Sequence, residues 1–212
     1  MSEDTHAAGP RPTGREYWED RYRESERIWS GEPNAALVAE VGGVQPGTAL
    51  DLGCGEGGDA VWLARRGWRV TAVDISEVAL QRARDGAARS GVADRVDTRR
   101  HDLAESFPQG SFDLVSACFL HSREDMPRER ILRTAASRVA PGGLLLVVGH
   151  AGHAHWEQEA EQQVALPTPP QVLEALHLPQ QEWQVQRAEE REREHASAGG
   201  HHADSVVKLR RR

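Results

Sequence analysis

Lysine is nearly missing from this 212-residue chain: Lys208 is the only one, and arginine supplies the rest of the positive charge. The basic residues are interleaved with acids, and the net charge is −7. The only purely basic block is Arg210-Arg211-Arg212. Without a concentrated positive face, phosphate backbones have little to hold, which argues against nucleic acid as principal partner and for a small-molecule ligand. Cysteine is equally sparse. Cys54 and Cys118 stand in separate segments at no metal-ligand spacing, so neither a disulfide framework nor a cysteine metal site is expected. No apolar run approaches the roughly 20 residues of a membrane span, and Met1 to Thr13 is polar with no hydrophobic signal core. These features point to a cytoplasmic protein with no membrane partner.

The order of elements predicts an α/β fold. Residues 1–14 read as a loose arm, and Arg15–Ser30 as a helix and its continuation, with Trp18, Tyr22 and Trp29 on one face. Pro33 opens a helix over Asn34–Val41, which Gly42-Gly43 stops. Strands are expected at Thr48–Gly53, Arg69–Asp74, Val96–His101, Phe112–Leu120 and Leu144–Gly149. Helices alternate with them at Asp59–Arg66, at Glu77–Ser90 with Ser76 as its cap, and at Pro127–Ala140, ended by Pro141-Gly142-Gly143. Such alternation predicts right-handed βαβ units and a mostly parallel sheet with helices on both faces. A helix near Gln171–Leu176 and two extended runs, from Trp183 and over Ser205–Leu209, close the chain as an antiparallel hairpin around a turn at Ser197–His202. The charge run Glu189–Glu194 reads as a solvated edge strand or as a helix.

The chemistry concentrates at T-A-L-D-L-G-C-G-E-G-G-D-A, residues 48–60, with four glycines at positions 53–58. A strand that delivers Gly-x-Gly to a helix start brings backbone amides and the helix's positive end towards a ligand. The spacing is not the Gly-x-Gly-x-x-Gly of a nicotinamide site, and no Gly-Lys-Ser/Thr follows to make a Walker loop. Asp51 and Glu56, in and beside the loop, would repel a pyrophosphate and suit an ammonium or sulfonium group. About twenty residues on, Asp74 ends the second strand, where an acid accepts from both ribose hydroxyls.

The stretch from Ala49 to Ala83 resembles class I S-adenosylmethionine-dependent methyltransferases. The similarity continues through His101-Asp102-Leu103, Phe112-Asp113-Leu114-Val115 and Val139-Ala140-Pro141-Gly142-Gly143, covering about residues 46–150. The resemblance implies a Rossmann-like, seven-stranded, mostly parallel sheet whose last strand is antiparallel. It also implies an arm and helical lid over residues 1–45 and the methyltransferase domain over 46–212. S-adenosyl-L-methionine would be the cofactor and S-adenosyl-L-homocysteine its product. By the same resemblance Gly53, Gly55 and Gly57 would line the methionine and ribose portions, and Asp51 would hold the amino-acid end. Asp74 would grip the ribose, and Ile75 would pack on the adenine. Asp102 would accept from its exocyclic amine beside Leu103, with Cys54 and Phe119 completing the cofactor set. Cys118 is expected mid-strand as a small buried residue.

The fourth and fifth strands end in His121 and His150, neighbours in the family's strand order. Both are candidates to take a proton from the methyl acceptor, His121 first. Tyr17, Trp18, Tyr22 and Trp29 would shape a lid or simply pack on the core; that region is loosely similar to the thiopurine and tellurite-resistance methyltransferases. His153 and Trp156 are expected to contribute to the acceptor pocket. Three histidines at 150, 153 and 155 raise a metal site, but no cysteine or acid completes a set, so no metal is expected. No Asn/Asp-Pro-Pro-aromatic motif follows the fourth strand, which argues against nucleobase methylation. The acceptor is therefore expected to be a small molecule, its methylated atom unspecified. A cofactor-binding sensor or partner subunit without turnover is the alternative, and a nicotinamide oxidoreductase a second.

Overall fold

A computed structural model describes residues 14–121, 126–152, 166–193 and 203–212. The elements in chain order are α1 (Gly14–Arg23), α2 (Ala35–Val41), β1 (Thr48–Leu52), α3 (Gly58–Arg65), β2 (Arg69–Asp74), α4 (Glu77–Arg89) and β3 (Val96–Arg100). They continue with β4 (Phe112–Cys118), α5 (Arg128–Ser137), β5 (Val139–His150), α6 (Pro169–Leu176), β6 (Trp183–Glu192) and β7 (Ala203–Arg211). One seven-stranded sheet runs in the order β3-β2-β1-β4-β5-β7-β6. The pairings among β1 to β5 are parallel, and β7 lies antiparallel between β5 and β6. The switch in strand order between β1 and β4 opens a crevice at the carboxyl ends of the strands, the usual seat of a ligand in such sheets.

The central strands are largely apolar because both their faces are covered. Leu50, Leu52, Val115, Ala117, Leu145 and Val147 join one apolar cluster with Ile131 and Leu132 of α5 and Val172 and Leu176 of α6. The alternate positions Ala49, Leu114, Leu144, Leu146 and Val148 pack on the opposite face with Leu37 of α2, Leu63 of α3 and the fully buried Trp68. Each such leucine contributes about 1.5–3 kcal/mol relative to exposure. The lone lysine, Lys208 on β7, donates to the Glu40 backbone carbonyl at 2.7 Å and its carboxylate at 3.3 Å. Arg187 on β6 reaches the same carboxylate at 2.7 Å, so one buried acid ties α2 to the terminal hairpin.

Several boundaries differ from expectation. Helix α5 stops at Ser137 rather than Ala140, and Val139 already pairs with Phe112 of β4. The next matched pair is Leu114 with Leu144, so Ala140 to Gly143 bulge out of the ladder. A Cβ on Gly143 would lie 3.0 Å from the Asp113 carbonyl, which explains a glycine there. Strand β4 ends at Cys118 rather than Leu120, because Phe119 takes a left-handed φ of 53°. Cys118 therefore closes its strand instead of sitting within it. Trp29 lies beyond α1, yet returns to it: its Nε1 donates to the Tyr22 hydroxyl at 3.1 Å. The run Glu189–Glu194 is edge strand as far as Glu192. The turn expected over Ser197–His202 lies outside the described residues.

Candidate functional site

A cavity of about 1150 Å³ opens over the carboxyl ends of β1, β2, β4 and β5, roofed by residues from α1 and the segment leading to α2. The glycine loop forms its floor. Gly53 and Gly55 take φ of 68° and 52°, backbone conformations that suit a residue without a Cβ. At Gly55 a Cβ would press to 3.0 Å from the Tyr22 hydroxyl and 3.3 Å from Trp29 Nε1, so these two aromatics rest directly on the loop. Gly57 has a different task. Its φ is 86°, and a Cβ there would fall 2.7 Å from the Ala83 Cβ of α4. It is a packing glycine between α3 and α4 and, unlike Gly53 and Gly55, does not line the cavity.

Three carboxylates stand at the loop end of the cavity. Asp51 is 2% exposed and accepts from the Ser116 hydroxyl at 3.0 Å through Oδ1. Its Oδ2 is buried with no hydrogen-bond partner among the described residues. Burial, with Asp59 and Asp74 adding repulsion, pushes the Asp51 carboxyl up to about 8 against the Ser116 bond that lowers it. Asp74 accepts from Gly55 N at 2.9 Å and Ser76 N at 3.0 Å. Burial raises its pKa, and the backbone bonds oppose the rise. Asp59 receives Asn34 N at 2.6 Å and Asn34 Nδ2 at 3.3 Å, and is likewise raised by burial. Its partner Cys118 donates to it from the end of β4, and burial pushes that thiol up. A buried, partly unsatisfied acidic cluster is costly unless a cation completes it.

Glu56 departs from expectation. Its carboxylate does not offer charge to a ligand, because Arg82 of α4 meets it at 2.6 Å and the Ile28 and Trp29 amides donate to it. Arg82 also donates to the Tyr22 and Ser25 carbonyls at 2.7 and 2.6 Å, so the pair clamps the segment after α1 onto the core. Glu19 of α1 adds a second tie: it accepts from the Ser76 hydroxyl and from Glu77 N, capping α4 from another helix. Neither role has a local sequence signal, since each partner lies more than twenty-five residues away.

Ile75, Asp102 and Leu103 line the cavity beside β2 and β3, with Asp102 turned back to accept Ala104 N at 2.9 Å. Tyr17, Trp18, Tyr22 and Trp29 line it from above, and Cys54 lines it within the loop. Phe119, His121 and His150 gather at the far end. The two imidazoles stack 5.7 Å apart at 15°, and Phe119 lies 4.5 Å from His150. Sequence reasoning missed two further residues there, Arg193 and Asp204 from the terminal hairpin. The expected pocket residues His153 and Trp156 lie outside the described residues, as does His155. Among the described residues, no group of three or more histidine, cysteine or acidic side chains is placed to hold a metal ion.

Residues 49–143 match the family model described as a methyltransferase domain. The chain is 37% identical over 136 residues to 27-O-demethylrifamycin SV methyltransferase of Amycolatopsis mediterranei, covering 61% of this chain and 47% of that one. It is 34% identical over 110 residues to ribosomal RNA small subunit methyltransferase C of Alcanivorax borkumensis, covering 50% and 33%. The chain thus spans less than half the length of these curated relatives. Among solved structures, it is similar to one from work on the conversion of a disulfide bond into a thioacetal group during echinomycin biosynthesis. The TM-score is 0.69 at 26% identity, and 92% of each chain is covered.

Proposed function

Residues 49–143 carry a methyltransferase domain, and from that premise we propose that the chain is a class I S-adenosylmethionine-dependent methyltransferase acting on a small-molecule acceptor. The observation that carries the reading is the buried Asp51 Oδ2, which lacks a hydrogen-bond partner among the described residues at the acidic end of the cavity. A ligand ammonium there would complete the acid, and the charge of Asp59 and Asp74 nearby favours a cation over a pyrophosphate. When bound, S-adenosylmethionine supplies an electrophilic methyl group on a sulfonium. Asp51 would hold its amino-acid end, Asp74 its ribose, Ile75 and Leu103 its adenine face, and Asp102 the exocyclic amine. Gly53 and Gly55 leave room for that approach.

His121 and His150 would receive the acceptor at the other end, with Phe119 packed against His150. Much of the rate would come from holding donor and acceptor in line in a closed site, with His121 taking the acceptor's proton. The lid residues Tyr17, Trp18, Tyr22 and Trp29 would exclude water. The net charge of −7 supports a small molecule rather than RNA, although one relative is named for ribosomal RNA. No described helix is long and apolar enough to cross a membrane, and both cysteines are free thiols, which suits the cytoplasm.

The test is transfer of labelled methyl from S-adenosylmethionine into a metabolite extract and, separately, into total RNA. Label in the low-molecular-mass fraction is expected. Label in RNA alone would overturn the acceptor class. Cofactor binding without label in either pool would favour a sensor.

A further inference from the structure

His150 ends β5 opposite Asp204 of β7 in the antiparallel register, and Asp204 in turn pairs with Arg191 of β6. Arg193, just past β6, reaches back across this corner. Its Nε and Nη2 both donate to Asp204 Oδ1, at 2.9 and 2.7 Å, and its guanidinium lies 5.3 Å above the Phe119 ring. The same Nη2 stands 3.4 Å from His150 Nδ1 in hydrogen-bonding geometry. A guanidinium has donors and no acceptor, so in that contact the imidazole nitrogen must accept. Neutral imidazole carries one N–H, and acceptance at Nδ1 places it on Nε2. Asp204 is 8% exposed, and it anchors a guanidinium that free rotation would otherwise carry away from the ring.

We propose that Asp204 and Arg193 are positioning residues that fix His150 as the Nε2–H tautomer. His150 is then a hydrogen-bond donor to the methyl acceptor, and not a proton acceptor. Proton removal falls to His121, the imidazole stacked 5.7 Å away. Two chemically identical side chains, one at the end of β5 and one three residues past β4, thereby take opposite roles, one orienting the acceptor by donation and the other receiving its proton. The strained φ of Phe119 serves the same corner, since it turns the ring beneath Arg193 and against His150. The division of labour rests on the methyl-transfer reading; the tautomer does not.

The test is imidazole 15N NMR on the full chain at about pH 8, above the ordinary imidazole pKa near 6.5, with His150 assigned through its backbone. Wild type is expected to show an unprotonated Nδ1 and a protonated Nε2. A bond from a charged donor biases one tautomer by roughly tenfold or more. In Arg193→Met, which keeps an apolar stem over Phe119, that bias is expected to fall to a mixture of both tautomers. Asp204→Asn should move the signal the same way by loosening Arg193. A protonated Nδ1 in wild type, which needs no variant to observe, would overturn the proposal. So would a signal unchanged in folded Arg193→Met. If the tautomer stands and no methyl transfer is found with any acceptor, the functional reading fails while the positioning holds.

Discussion

Binding of S-adenosylmethionine should release a proton, and Asp51 should be its source. In the free protein, burial and the neighbouring Asp59 hold the Asp51 carboxyl at about 8. At pH 7 such a group is about 90% protonated, and a ligand ammonium at Oδ2 would return it towards the ordinary carboxylate range. About 0.9 proton should therefore leave per cofactor bound at pH 7, and affinity should rise about tenfold from pH 6 to pH 7, levelling off near pH 8. The same shift acts on the free fold with a definite sign. An acid whose folded pKa lies above its unfolded value of 3.8 binds more protons folded than unfolded. Stability thus falls as pH rises from about 4 to about 8. The assay is titration calorimetry at pH 7 in two buffers of different ionisation enthalpy, on wild type and Asp51→Asn. Equal apparent enthalpies in both buffers for wild type, or the same proton release from Asp51→Asn, would refute the assignment.

Gly57→Ala should destabilise the fold by about 2 kcal/mol, since it forces a side chain into a φ of 86° and against Ala83. That corresponds to a melting temperature about 4–8 °C lower by differential scanning calorimetry. Arg82→Ala leaves Glu56 buried without its cation and frees the Tyr22 and Ser25 carbonyls. Amide exchange at Ile28 and Trp29 should accelerate about 100-fold, for a local cost of about 3 kcal/mol, while exchange in β1 and β4 stays protected. Burial alone would raise Glu19, but the Glu77 amide, the Ser76 hydroxyl, the Val78 amide and the Arg23 charge hold it below its ordinary range. Its contribution is present above the unfolded pKa and lost as pH falls through the folded one. Urea melts of Glu19→Gln should lie about 1 kcal/mol below wild type at pH 7 and converge with it in acid.

Features set by neighbours in the chain were legible before any coordinates. The strand–glycine–helix unit, the acid at Asp74 and the Ser76 cap depend on residues a few positions apart, and each stands where the sequence placed it. Charges were harder. Glu56 reads as a ligand-facing acid until Arg82, twenty-six residues later, is seen to neutralise it. Gly57 is indistinguishable by motif from Gly53 and Gly55, and only the approach of α4 reveals that it serves packing. The early end of β4 follows from a left-handed Phe119, for which a phenylalanine gives no hint. Arg193 and Asp204 were hidden in a polar hairpin, because register across β5, β6 and β7 brings them to His150 from more than forty residues away.

The measurement that bears most directly on the account is calorimetric titration of wild type and Asp74→Ala with S-adenosylmethionine, S-adenosylhomocysteine and NAD. The account predicts micromolar binding of the first two, loss of both in the variant, and no binding of NAD to either. Folded wild-type protein that binds neither sulfur ligand would contradict it.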